Sequence, residues 1–420
     1  MGRAAQRSAS RRRIRARQGT EETSFRRLPP DSITDIFLRL PAKSILRCRA
    51  VSKEWRSFTT NPSFVAAHAR LQPAQVVLYK YLDTGPYEVA LDVVPFSDDG
   101  DNADAQRRLI RYPRTRSMLL LASCNGVLLF SKPDNGNFLL CNPATWQWAE
   151  LPRLPEALRV AGVGEYQYAF YFHEPSNEFR ILLRRGHSWP RASSWHILST
   201  GAAEPRRVAA MLPPGASITS NSLMTALPVA LNGRLHWPPR VVAATAAGAS
   251  TTMTVTTEMV VFDTVAETFG RMAGPPTVTA ELVKLFDIEG RLVAADFGEE
   301  EHVDLWFLED YGAGRWERRH RVATAWAPRW LAGVERGPPR EAADLVCVAA
   351  AGDGEGNVML GSHIWLAVYN LRTRTTRTVA SVGPGRNMLV SRHVFSESLV
   401  RHPAFAARSA ADLGVTFSWC

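Results

Sequence analysis

Lysine is nearly missing from this sequence. Five of its 50 basic residues are lysine (Lys43, Lys53, Lys80, Lys132, Lys284), and with the many alanines this bias fits a GC-rich coding sequence. Cysteine is also sparse: Cys48, Cys124, Cys141, Cys347 and Cys420 stand far apart with no CxxC pair, which excludes a disulfide scaffold and a zinc module. No apolar run reaches the ~18 residues of a membrane span, and the best candidate, 117–130, is broken by Asn125-Gly126. The tripeptide Asn61-Pro62-Ser63 carries the proline that excludes N-glycosylation. HExxH, GxSxG and P-loop patterns are absent. Together these absences lead to the expectation of a reducing, intracellular protein with no membrane, metal or cofactor.

The 420 residues are 45% hydrophobic, enough for a sizeable core and two or three domains. The net charge of +10 is concentrated at one end. Residues 1–27 carry nine arginines and two glutamates, while the remaining 393 are nearly neutral. This tail has no apolar periodicity and is expected to be disordered. Its run Arg11, Arg12, Arg13, Arg15 and Arg17 reads as a solvated tail, a nuclear import signal, a transit peptide or a phosphate-binding arm. The expected location is the nucleus, the cytoplasm or both.

Residues 28–70 change character. Asp31-Ser32 with Asp35 reads as a capping box, followed by Ile33, Ile36, Phe37 and Leu40 on one helical stripe. Pro41 should end that helix. A short helix through Ile45 and Leu46, a third carrying Cys48, Val51, Trp55 and Phe58, and a fourth around Phe64 to Leu71 complete a small unit. A unit of this size has little interior, so part of its apolar surface is expected to belong to a partner.

From residue 71 to 420 the pattern is antiparallel β. Asn125-Gly126, Asn135-Gly136, Asn232-Gly233 and Glu289-Gly290 signal hairpins. Apolar strands that end in a polar turn recur near Asn142, Ser199, Asp263, Glu309 and Asn370, a spacing that suits four-stranded propeller blades with variable loops. The Ala/Thr-rich stretch 241–257 reads as a loop that inflates one unit. Strands around Val76–Tyr81 and Val89–Val94 are expected to join the C-terminal strands as a further blade, giving a β-propeller of about six blades. A two-sheet sandwich is the competing reading, but 345 residues of short strands exceed one.

Residues 28–64 resemble the F-box in Leu28-Pro29, Ile33, Ile36, Leu40-Pro41, Ser44-Ile45-Leu46, the run from Arg49 to Arg56, and Asn61-Pro62-Ser63-Phe64. Residues near 118–155 resemble the start of the F-box-associated domain of plant proteins, in Cys124-Asn125-Gly126-Val127-Leu128-Leu129, Cys141-Asn142-Pro143 and Leu151-Pro152. The resemblance implies a non-catalytic substrate receptor of an SCF-type ubiquitin ligase. Its F-box would dock a Skp-family adaptor, and through it cullin and RING subunits, while the β domain would hold an unknown protein substrate. Leu28, Pro29, Ile33, Ile36, Leu40, Pro41, Leu46, Val51 and Trp55 are the expected adaptor-binding residues, of the kind a helix-in-groove contact needs.

Twelve tryptophans invite a substrate-binding reading. Trp189, Trp237, Trp326, Arg329 and Trp330 sit in Pro- and Arg-rich, loop-like contexts and are the candidates. Trp146, Trp148, Trp306 and Trp365 read as packing residues within strands. Two further readings remain open on the residues. One is a propeller binding protein or enzyme outside ubiquitination, which would need convergent carboxylates or metal ligands. The other is a nucleic-acid binder using the basic tail, which the nearly neutral body argues against.

Overall fold

The computed structural model describes residues 29–82, 88–95, 106–114, 118–132, 137–159, 166–185, 194–214, 216, 218, 228–243, 255–277, 283–299, 301–323, 345–349, 356–362, 365–381, 388–405 and 416–417. The chain divides into two compact units, Met1–Leu71 and Gln72–Cys420. Leu28, the Arg11–Arg17 run, Asn135-Gly136, Trp189, Trp326, Arg329 and Trp330 lie outside the described residues.

The first unit holds four helices: α1 (Pro30–Arg39), α2 (Ala42–Val51), α3 (Lys53–Thr59) and α4 (Pro62–Leu71). The expected capping box is not used. α1 starts earlier, with Pro29 as N-cap and no side-chain cap bond, because a proline at the first helical position has φ preset and no N–H to satisfy. Leu40 turns extended before Pro41 and stops α1, as the sequence suggested. The expected single helix carrying Cys48 through Phe58 is two. Ser52 is extended (φ −136°, ψ 134°), and its hydroxyl accepts from Trp55 N–H to start α3.

The second unit is six antiparallel sheets, each read outward from its inner strand, in a six-bladed propeller-like arrangement. Blade II is Leu119–Cys124, Val127–Lys132, Asn137–Asn142 and Gln147–Glu150. Blade III is Tyr166–His173, Glu178–Arg185, His196–Ser199 and Arg206–Arg207. Blade V is Val283–Ile288, Arg291–Asp296, His302–Asp310 and Arg315–Ala323. Blade VI is Leu345–Ala349, Asn357–Ser362, Trp365–Asn370 and Thr376–Ser381. In blade IV, Val229–Leu231, Val255–Asp263 and Thr268–Ala273 flank a second strand in two pieces, Arg234–His236 and Arg240–Ala243. Pro238-Pro239 interrupts it, since neither proline can donate to the ladder. The stretch expected as a loop at 241–257 is therefore partly strand, with Val241 opposite Thr257 and Ala243 opposite Val255.

Blade I is sewn from both ends of the unit. Gln75–Leu82, Glu88–Pro95 and Arg107–Pro113 receive Met388–Phe395 as the inner strand, in the register Gln75 opposite Phe395 and Lys80 opposite Met388. Thr416–Phe417 pairs on the outer edge. This is the closure the sequence suggested.

Each pair of neighbouring blades encloses its own apolar cluster. Val77 and Leu91 meet Leu128 and Phe130 between blades I and II; Leu129 and Leu140 meet Tyr168 and Ile181 between II and III; Leu182 meets Phe262 between III and IV. Met259 meets Leu285 between IV and V, Leu305 meets Leu360 between V and VI, and Met359 meets Val76 and Leu78 between VI and I. Alternate residues of one strand thus face opposite neighbours. With both faces of a blade covered, the strands read as continuous apolar runs instead of polar–apolar alternation.

The repeat seen in the sequence is the end of the third strand in blades II to VI. Its polar residue folds back on the following turn: Asn142 Oδ1 accepts from Ala144 and Thr145 N–H, Asp263 Oδ1 from Val265 and Ala266, and Asn370 Oδ1 from Arg372 and Thr373. In blade V this residue is Asp310, which accepts from Ala313 N–H, so the expected Glu309 is one position off. These Asx turns require a short acceptor side chain, and Glu is too long for the role.

A strap, 396–405, follows the last inner strand across the tight turns of blades II and III. Asn142 Nδ2 donates to Ser398 O (3.1 Å) and Val400 O (3.2 Å), and His402 Nε2 donates to Asn177 O at 2.8 Å. Gly126 sits at φ +75°, and a Cβ there would collide with Ser398. Asn142→Ala removes both strap bonds and the turn acceptor, so it is expected to cost about 2–4 kcal/mol in denaturant unfolding. A loss below about 1 kcal/mol would mean that the strap does not secure the ring.

Candidate functional site

The helical unit builds its interior from few residues. Phe37, Ala42, Ile45 and Phe64 are buried, and Phe37 packs edge-on against Trp55 (5.5 Å) and Phe58 (6.0 Å). Three polar residues complete it. Arg49 is buried with Nε donating to Thr59 Oγ1 at 3.0 Å and a terminal nitrogen donating to Thr59 O. His68 Nε2 donates to Leu40 O at 2.8 Å, satisfying a carbonyl that the end of α1 leaves without a helical partner. The sequence reading missed these three as interior residues. The signal for Arg49 was its spacing: Ala42, Ile45 and Arg49 fall on one stripe of α2. Thr59 and His68 gave none.

With the interior filled mainly by other residues, part of the expected adaptor-binding set stays toward solvent. Pro29 and Pro41 are exposed, Ile36 is 42% exposed and Val51 77%. Ile33, Leu40, Leu46 and Trp55 are half-buried. Along α1 the apolar stripe grades from buried Phe37 to exposed Ile36, so one helix serves both the core and an outward apolar face.

In the propeller unit, Trp237 requires correction as a substrate-binding residue. It is 3% exposed and packs between blades III and IV, with ring centroids 6.2 Å from both Trp195 and Phe269. The two prolines after it imitate a loop, but they only break the ladder while its N–H donates to Val260 O. Trp146, expected to pack, is 46% exposed in the turn after Asn142 at φ +59°. Trp148 is buried as expected.

Chain direction sorts the remaining candidates. The turns Asn125-Gly126, Asn232-Gly233 and Glu289-Gly290, all at positive φ, join first to second strands on the same face as the Asx turns. Residues 186–193, with Trp189, join a second strand to a third; residues 324–344, with Trp326, Arg329 and Trp330, join blade V to blade VI. In an antiparallel meander both kinds of connection leave from the opposite face. The strands that flank these candidates therefore end on one common face.

Among the described residues, no cluster of three or more His, Cys, Asp or Glu side chains is arranged to hold a metal. Burial pushes the Cys141 thiol well above its ordinary value, which leaves it inert. His236 is fully buried between blades IV and V. Its Nδ1 donates to Val229 O (3.2 Å), so Nε2 carries the lone pair that accepts the Tyr311 hydroxyl at 2.7 Å. Burial pushes its pKa down to about 4. The unfolded chain then binds the proton more readily, so the contribution of neutral His236 is complete above about pH 6.5 and is lost as pH falls toward 4. Unfolding free energies measured at pH 7.5 and pH 4.5 should differ by up to about 3 kcal/mol more in the wild type than in His236→Gln. Equal pH dependence in the two proteins would contradict this assignment.

The family comparisons agree with this geometry. The F-box domain model matches residues 25–66, and the F-box associated beta propeller domain model matches residues 92–393. Among curated Arabidopsis thaliana proteins, F-box protein At3g07870 is 24% identical over 318 residues, covering 71% of this chain and 73% of that protein. F-box/LRR-repeat protein At2g43260 is 22% identical over 318 residues (70% and 67%), and F-box protein At5g65850 is 23% identical over 326 residues (76% and 76%). With these two models matching the four-helix unit and the six-bladed unit in order, this chain belongs to the F-box proteins that carry an F-box associated β-propeller domain.

Proposed function

We propose that this chain is the substrate-recognition subunit of an SCF-type ubiquitin ligase. In this reading the helical unit docks a Skp-family adaptor, which links it to cullin and RING subunits, and the propeller recruits the protein to be ubiquitinated. The chain acts by proximity and contributes no catalytic group, metal or cofactor to ubiquitin transfer. The observation that carries the reading is the exposure of Ile36, Pro41 and Val51 in a unit whose interior is already filled by Phe37, Ala42, Ile45 and Phe64. Fully burying one such aliphatic side chain against a partner contributes roughly 1.5–3 kcal/mol, so a few of them support a specific helix-in-groove contact.

Target capture is assigned to the face opposite the tight turns, on which the described strands flanking residues 186–193 and 324–344 end. The Arg11–Arg17 run is proposed as a nuclear import signal, which leaves the protein in the nucleus, the cytoplasm or both.

The test is adaptor binding by full-length wild type, Leu40→Ala/Pro41→Ala and Val51→Asp, with circular dichroism and melting temperature recorded for each. The expected result is at least a tenfold rise in Kd for each variant with the fold retained. Absence of adaptor binding by folded wild type would remove the ligase reading.

A further inference from the structure

The outer strand of blade IV presents an edge with unmet hydrogen-bonding capacity. Gly274 N–H donates to Thr257 O at 2.8 Å, which fixes the phase of the ladder between Val255–Asp263 and Thr268–Ala273. Bonded and non-bonded pairs alternate in an antiparallel ladder. Gly270 and Met272 therefore bond inward, while the N–H and C=O of Phe269, Arg271 and Ala273 point away from the sheet. Two other contacts fit this phase. Trp237 N–H reaches Val260 O from the opposite side (2.9 Å), and Trp316 Nε1 donates to the outward Ala273 O (3.0 Å). That leaves the outward groups of Phe269 and Arg271 without a partner among the described residues.

Three other blades protect their edges. Arg315–Ala323 of blade V bears four arginines and a glutamate, Thr416–Phe417 covers the edge of blade I, and the outer strand of blade III has two residues. Blade IV has one charge, Arg271, and a glycine at the centre of its edge strand.

A groove of about 380 Å³ runs along this edge, between Gly270, Val261 and Met272 on blade IV and the turn 311–314 of blade V. A Cβ built on Gly270 meets nothing within 4 Å, so there is room above it for another chain's side chain. Arg234 also lines the groove, its guanidinium 5.2 Å over the Tyr311 ring. Among the described residues its one carboxylate contact is Asp263, at 3.4 Å, and Asp263 Oδ1 is already occupied by two backbone N–H groups. The surplus capacity of the groove is thus outward backbone groups, an apolar seat and guanidinium donors. That combination fits an extended chain bearing an aliphatic side chain and a carboxylate.

We propose that the groove between blades IV and V binds an extended, acidic–apolar peptide segment of a partner protein by strand addition along Phe269–Arg271, with an aliphatic side chain over Gly270 and a carboxylate at Arg234. This deepens the substrate-receptor reading and rests on it for the partner being a ligase target; the binding itself requires no adaptor.

The test is selection of a displayed library of random nonapeptides on the full chain, with counter-selection on Gly270→Val, followed by fluorescence anisotropy with the enriched peptides. Gly270→Val fills the seat, and its Cβ meets nothing within 4 Å. Arg271→Pro removes an outward N–H that the ladder does not use, together with the side chain's bonds to Glu258 and Pro214 O, and Arg234→Gln removes the charge. Melting temperatures show which variants keep the fold, and any one that does suffices to decide. The expected outcome is enrichment of peptides that place Asp or Glu near an aliphatic residue, with affinity lowered at least tenfold in every folded variant. No peptide discriminating wild type from the folded variants, or enrichment of basic peptides, would overturn the proposal. Peptide binding with no adaptor binding would remove the ligase reading and leave the groove standing, and the converse result would do the reverse.

Discussion

The propeller depends on one strand pairing. Met388–Phe395 hydrogen-bonds to Gln75–Leu82, more than 300 residues earlier in the chain, and converts a row of blades into a ring. Without it, blade I has no inner strand, and the clusters that blades II and VI share with it lose part of one wall. The strap that follows carries the same constraint onward through Asn142, Gly126 and His402 into blades II and III. Closure also settles the inner edges, since every inner strand has a neighbouring blade on each side. Only the outer edges remain, and these are mostly short, charged or covered.

This division of labour separates scaffold from surface. Six inter-blade clusters take up the apolar side chains of the strands, so the propeller's apolar content is spent on its own core. The helical unit differs: its few interior positions are filled, and Ile36, Pro41 and Val51 remain outside. Exposed aliphatic groups on so small a unit are a stability liability unless a partner covers them. Each unit thus carries its own surface, which is the division of labour the proposed receptor role uses.

Much of this was legible in the residues. Asn-Gly and Glu-Gly turns declared hairpins because only a few residue types tolerate positive φ at both central positions. The polar residue that ends each third strand revealed the blade repeat, since a short acceptor side chain (Asn, Asp or, in blade III, Ser199) caps the turn there. The failures have physical causes too. Pro30 displaced the capping box because proline starts a helix by preset geometry. Ser52 split a stripe that looked continuous because the helical period survives a one-residue break. Trp237 looked like a loop residue from its prolines, whereas burial is set by the neighbouring blade, which a local window does not contain. His68 followed the same rule, as its partner Leu40 is distant in sequence. The open edge at Phe269 and Arg271 depends on ladder phase, which no composition signal encodes.

The most direct test of the account is hydrogen–deuterium exchange of the full-length chain with and without a Skp-family adaptor. The account predicts slowed exchange within residues 30–59, while the closing strands Gln75–Leu82 and Met388–Phe395 remain as protected as in the free protein. Unchanged exchange in the helices, or slowing confined to the propeller, would contradict it.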